Sequence, residues 1–185
     1  MKLILDVENT VTKRDGKMHL DPFEPDNSLV MVGILPVDAD AQPRIYTFDH
    51  AQIEPTFNGK EELQLNLDNT TLLIGHNIAY DLLWLWESGF RYDGEVYDTM
   101  LNEYILQRGV KQPLTLEACA ERCGATPKSD TLKEYFAKGY STRDIPHSEL
   151  CEYLRADLLA TSDVYHSLMR RYNQADNAGL RDIAE

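Results

Sequence analysis

Cysteine is scarce in this chain: three in 185 residues, an odd number. That excludes a disulfide framework and points to reduced thiols. Long apolar runs are missing, since none approaches the roughly 20 residues needed to span a bilayer. The first residues lack the basic flank and apolar core of a secretion signal, because Met1–Leu5 passes straight into acids. A cytoplasmic location without membrane contact is therefore expected. Internal repeats and low-complexity runs are also absent. Positive charge is short: 18 Lys and Arg stand against 31 Asp and Glu, a net charge of −13. A broad basic face of the kind that grips polynucleotides is excluded. Any phosphate contact must be confined to a metal centre and a few bases such as Lys13, Arg14, Lys111 and Lys128, or be supplied by a partner. Weak, salt-sensitive binding would follow. What the chain does have is 43% apolar content and a length that suits one domain with its own core.

The order of elements reads as strands first, then strands alternating with helices. Leu3-Ile4-Leu5 is a short buried strand ending in Asp6-Val7-Glu8. Val11–Asn27 is polar loop with a hairpin tip near Asp15-Gly16. Ser28–Pro36 and Arg44–Phe48 supply two more strands, closing a three-strand antiparallel meander. Gly59–Asn69 is a short helix and Thr71–His76 a fourth strand. Asn77 caps a buried helix running to Gly89, and Glu95–Asp98 is a fifth strand. Helices follow from Thr99, from Leu116 with Thr115 as cap, over Leu132–Lys138, and from Ser148 as cap to about Asn173. This pattern predicts an α/β fold, a five-stranded mixed sheet flanked by helices. Residues 1–173 are expected to form the domain and 174–185 a tail or connector.

Three stretches carry candidate chemistry. Side chains alternate along a strand, so Asp6 and Glu8 project to one side, where their mutual repulsion calls for a cation. Taken alone, such a triplet also fits a strand entering a polar turn. Asp81 stands about one turn inside an apolar helix, in His76-Asn77-x-x-x-Asp81, where an unpaired acid is costly to bury. Tyr153 and Asp157 are four apart on one face of the last helix. Each of the latter two also reads, in isolation, as ordinary solvated helix surface.

Together, D-x-E on the first strand, N-x-x-x-D at a strand–helix junction and Y-x-x-x-D in the final helix resemble the DnaQ-like (DEDD) 3′–5′ exonucleases, tyrosine subtype. Asp98-Thr99 and Pro113-Leu114-Thr115-Leu116 are also similar to that family. The likeness covers roughly residues 2–170 and is nearest to the proofreading domain of phage family A DNA polymerases. It implies an RNase H-like fold and removal of nucleotides from DNA 3′ ends, in the host cytoplasm if phage-encoded. It further implies two Mg²⁺ or Mn²⁺ ions held by Asp6, Glu8, Asp81 and Asp157, hard oxygen ligands suited to those metals. In this reading Asp6 bridges the ions, Glu8 and Asp157 complete the site of the attacking water, and Asp81 holds the ion beside the leaving oxygen. Tyr153 would orient the water, since a phenol is a weak base at neutral pH. Asn9, Thr10 and Asn77 are the implied substrate contacts. Asn9 departs from the threonine that usually follows the glutamate. Implied partners are a single-stranded or frayed DNA 3′ end and a DNA polymerase domain or subunit.

Three alternatives stand beside this. An RNase D-like exoribonuclease shares the motifs, although the basic helical extension usual there is missing. A non-catalytic module that docks a polymerase would keep the acids without using them. Finally, Cys119 with Cys123 and His147 with Cys151 show four-residue spacing. They could form a zinc site if their helices met, or could simply place small groups on buried helix faces. Trp84 and Trp86 are expected in the core.

Overall fold

The computed structural model describes residues 1–37, 40–125 and 131–174, together with 177 and 180. Lys128 and most of the expected tail lie outside these residues. The chain's apolar runs form β1 (Lys2–Asn9), β4 (Leu29–Pro36), β5 (Arg44–Thr47), β6 (Leu72–Gly75) and β7 (Glu95–Asp98). They make one sheet in the order β5-β4-β1-β6-β7. β1 pairs antiparallel with β4, and β4 with β5, while β6 runs parallel to β1 and β7 parallel to β6. This is the expected mixed sheet of five strands.

Between β1 and β4 lies a small ribbon of β2 (Thr12–Arg14) and β3 (Lys17–His19). Its tip is Asp15-Gly16, with φ of 52° and 76°. Both residues are left-handed, as a two-residue hairpin turn matching strand twist requires. The ribbon was expected only as a loop tip.

Helices follow the sequence pattern closely: α1 (Gly59–Asp68), α2 (Ile78–Glu87), α3 (Thr99–Leu106), α4 (Leu116–Arg122), α5 (Thr131–Ala137) and α6 (His147–Tyr172). Thr115 caps α4 as expected, its hydroxyl accepting from the N–H of Ala118. Two expected caps are corrected. Asn77 precedes α2 in a left-handed conformation and makes no side-chain capping bond. Ser148 lies inside α6, which starts at His147 after Pro146. Pro146 holds the cap position, and no side chain caps this helix.

Alternation along β1 divides the molecule into two layers. Leu3, Leu5 and Val7 face one side and pack with Leu63 and Leu67 of α1 and Leu82, Trp84 and Leu85 of α2. Ile4 faces the other side and packs with Leu158 and Tyr165 of α6. Asp6 and Glu8 continue the Ile4 face, so the acids lie on the side that α6 covers. Trp84 is buried as expected, whereas Trp86, two residues on and off the apolar stripe, is exposed.

Close approach of α6 depends on Gly33 of β4, the partner of Asp6 across the strand pair. A Cβ there would lie 2.7 Å from Leu158 Cδ1 and 2.9 Å from Leu154 Cγ. Only glycine lets the helix sit this near the sheet.

The cysteine pairs do not meet. Cys119 and Cys123 pack with Val164, Leu168 and Tyr172 near the end of α6. Cys151 packs with Val30 and Met31 near its beginning, His147 one turn before it. Cys151 and Val164 are 13 positions apart on α6, roughly 20 Å of helix. The spacing reflects buried helix faces, and the zinc site is excluded by geometry.

Candidate active site

β1 carries both acids, as expected, and runs one residue past Glu8 to Asn9, where its pairing with β4 shifts register. Asp6 and Glu8 are therefore held by a regular strand. Asp157 comes from the middle of α6, brought over the sheet by contacts of Leu154 and Leu158 with Gly33. Carboxylate oxygens of Asp6, Glu8 and Asp157 all lie within 4.8 Å of one another. Asp157 is buried, while Asp6 and Glu8 are partly open to solvent. Three acids at this distance repel strongly, and their donor set of hard oxygens fits a divalent cation of the Mg²⁺ class.

Asp81 reaches the same place from the opposite layer. β6 pairs with β1 only as far as Ile4, and beyond the carboxyl end of β6 it is α2 that lies against β1. There Asp81 Oδ1 accepts from the backbone N–H of Val7 at 3.0 Å, the residue between Asp6 and Glu8. Burial pushes the Asp81 carboxyl well above the usual carboxylate range, and the charge of Asp6 pushes it further. The Val7 N–H opposes that shift, and Glu8 adds a smaller push. Asp81 is thus an acid whose ionised form needs a compensating positive charge.

Tyr153 lies one turn before Asp157 and packs partly against the cluster holding Val30 and Met31. Met31 is the partner of Glu8 across β1 and β4. Asn77 is exposed at the head of α2, and its backbone N–H donates to Asp98 Oδ1 at 3.0 Å. Asn9 and Thr10 are buried. Asn9 Oδ1 accepts from the Tyr80 hydroxyl at 2.8 Å, and Thr10 Oγ1 accepts from the N–H of Ser28 at 2.7 Å. Both side chains are engaged within the protein, at the root of the β2–β3 ribbon.

A model of a 3′–5′ exonuclease family matches residues 39–173. The chain belongs to that family. The matched stretch contains Asp81, Tyr153 and Asp157, while Asp6 and Glu8 lie ahead of it on β1 and meet Asp157 in the carboxylate cluster. No curated protein sequence matches. Among solved structures, the exonuclease domain is similar to a nuclease in its apo form, with a TM-score of 0.66 and 14% identity over 95% of this chain and 75% of that one. It is also similar to Brucella melitensis NrnC with bound Mg²⁺, with a TM-score of 0.61 and 20% identity over 96% and 76%. A third likeness is to the family B DNA polymerase of the hyperthermophilic archaeon Pyrobaculum calidifontis. There the TM-score is 0.59 and the identity 17%, over 91% of this chain and 24% of that one. At such identities the likeness is one of fold: the exonuclease domain is RNase H-like.

Three supporting residues of the exonuclease domain escaped the sequence reading. His76 accepts or donates at both nitrogens, 2.9 Å from Thr99 Oγ1 and 2.7 Å from the Leu114 carbonyl. It thereby joins the Asp98-Thr99 and Pro113–Leu116 stretches. Burial pushes its imidazole below the usual histidine range, against opposing pulls from the Leu114 carbonyl and nearby acids. Glu103, fully buried in α3, pairs with Arg122 of α4 at 3.4 Å and with Arg171 of α6. Gly33 was the one with a local signal, a glycine inside an apolar strand. Asp98 caps α3, its carboxylate accepting from the N–H groups of Met100 and Leu101.

Proposed function

We propose that this chain is a divalent-metal-dependent 3′–5′ exodeoxyribonuclease that shortens single-stranded or frayed DNA ends and proofreads for a DNA polymerase. The observation that carries this is the convergence of Asp6, Glu8 and Asp157 within 4.8 Å, with Asp81 bonded to Val7 between the strand acids. Asp6, Glu8 and Asp157 would hold one ion, and Asp6 with Asp81 a second. When bound, such ions lower the pKa of water, neutralise phosphate charge and stabilise the leaving oxygen. Glu8 and Asp157 accept the hydrogen bonds of the attacking water, and the Tyr153 phenol orients it. Asn77, exposed beside Asp98, contacts the terminal nucleotide. Asn9 and Thr10, at the end of β1, would contact the terminal 3′ hydroxyl.

The test uses matched 5′-labelled DNA and RNA single strands with Mg²⁺ or Mn²⁺. Stepwise shortening from the 3′ end, release of 5′-mononucleotides, preference for DNA and loss of activity with EDTA or Asp6→Ala are expected. No release from either strand would overturn the reading.

A second reading, that short oligonucleotides or RNA ends are the substrate, has one observation in its favour. Brucella melitensis NrnC has been solved bound to pGG, and a chain of net charge −13 is poorly built to grip a long polynucleotide. Faster turnover of pGG or of the RNA strand than of the DNA strand would select it.

A further inference from the structure

Among the described residues, the ribbon between β1 and β4 gathers positive charge and exposed apolar groups beside the site. Over Thr12–His19 it carries Lys13, Arg14, Lys17 and His19 against the single acid Asp15, in a chain that is otherwise strongly acidic. Cross-strand register puts Arg14 opposite Lys17, and Lys13 opposite Met18. Residues opposite each other share a face, so the ribbon has two distinct faces. On one, Arg14 is pinned by Glu24 at 2.7 Å and Asp26 at 3.2 Å, and His19 lies 4.0 Å from Glu24.

The other face is open. It presents Lys13 and Met18, and Leu20, two residues on, continues it. Met18 is 58% exposed, Leu20 51% and, just beyond, Phe23 63%. Single exposed apolar residues are ordinary, but three within six positions on a basic ribbon mark a contact surface.

This surface is built and tied to the site. Asn27 Nδ2 donates to the carbonyls of His19 and Asp21, and its Oδ1 accepts from Thr12. The N–H of Phe23 donates to Asp21 Oδ1. Tyr80 then couples the loop to the catalytic strand. Its hydroxyl lies 2.8 Å from Asn9 Oδ1 and 3.1 Å from the Leu20 carbonyl. Leu20 is therefore two hydrogen-bonded contacts from the residue that follows Glu8, while Tyr80 itself precedes Asp81.

We propose that this ribbon is the strand guide of the enzyme: Leu20 and Phe23 stack on bases behind the 3′-terminal nucleotide, and Lys13 takes a phosphate between them. The proposal rests on the nuclease reading above and names the occupant as the single-stranded tail of its substrate. Apolar platforms beside a local positive charge are what sequence-tolerant single-strand binding needs. The local charge also offsets, beside the site, the net repulsion of an acidic protein.

The test compares wild type with the double variant Leu20→Ala, Phe23→Ala on two substrates. One is an eight-nucleotide single strand, the other thymidine 5′-(p-nitrophenyl phosphate), which has no base behind the scissile bond. Loss of kcat/KM by about tenfold or more on the oligonucleotide, with the small diester hydrolysed at the wild-type rate, is the expected result. Unchanged oligonucleotide turnover, or equal loss on both substrates, would overturn the guide. Binding of the same labelled oligonucleotide, read by fluorescence anisotropy with Ca²⁺, separates the two claims. If wild type hydrolyses neither substrate, the nuclease reading falls. The guide then stands or falls on whether the double variant, and Lys13→Ala separately, weaken that binding.

Discussion

Asp81 carries a conflict, a buried acid beside Asp6 and Glu8 with the Val7 N–H as its bond to β1. Its pKa is raised in the folded state, so the native protein holds a proton that the unfolded chain has already released. Stability without metal therefore falls as pH rises from the ordinary carboxylate range through that raised value. Asp81→Asn keeps an oxygen for Val7 and removes the charge. At pH 8 without metal it is expected to melt several degrees above wild type, about 1–2 kcal/mol at roughly 2–4 °C each, and to lose hydrolysis. Thermal melts across pH check this, and an unchanged pH dependence would contradict it. Tyr153→Phe, on the proposed role, slows nucleotide release roughly ten- to hundredfold through one lost hydrogen bond and leaves Mn²⁺ affinity unchanged in a titration. At this scale the candidate site was readable where a local pattern carries the geometry, as alternation does for Asp6 and Glu8. Glu103 was not, because its partners Arg122 and Arg171 are brought to it only by tertiary packing.

Among the elements, α6 matters most, since it delivers Asp157 and Tyr153 to a sheet made by other segments. Its seat is Gly33, and Gly33→Ala would force Leu154 and Leu158 outward. Overpacking of this kind costs about 1–3 kcal/mol, and here it also moves Asp157 away from Asp6. A lower melting temperature together with a larger loss of kcat than of substrate affinity is expected. Full activity in a folded variant would show that the close helix–sheet contact does not set the site. Helix and strand positions were legible because apolar runs and their punctuation by Gly, Pro and Thr are local. The continuation of β1 past Glu8 to Asn9 was not, because Asn9 is polar and is held opposite Leu29 of β4 across a shift in register. The β2–β3 ribbon shows the same limit: its tip was visible in Asp15-Gly16, but its fastening through Asn27 and Tyr80 is tertiary.

For the whole molecule, the net charge of −13 and the carboxylate cluster make one expectation together. Metal should act on the fold as well as on the reaction, because a ligand bound only by the native state stabilises it by mass action, about 2.7 kcal/mol at a hundredfold excess over Kd. Saturating Mg²⁺ is thus expected to raise the melting temperature of wild type and to leave Asp6→Ala unmoved. The most direct test is a crystal soaked in Mn²⁺ and measured at the manganese edge. The account predicts anomalous peaks at the shared centre of Asp6, Glu8 and Asp157 and between Asp6 and Asp81. A well-ordered site with no manganese there, or with manganese only elsewhere, would contradict it.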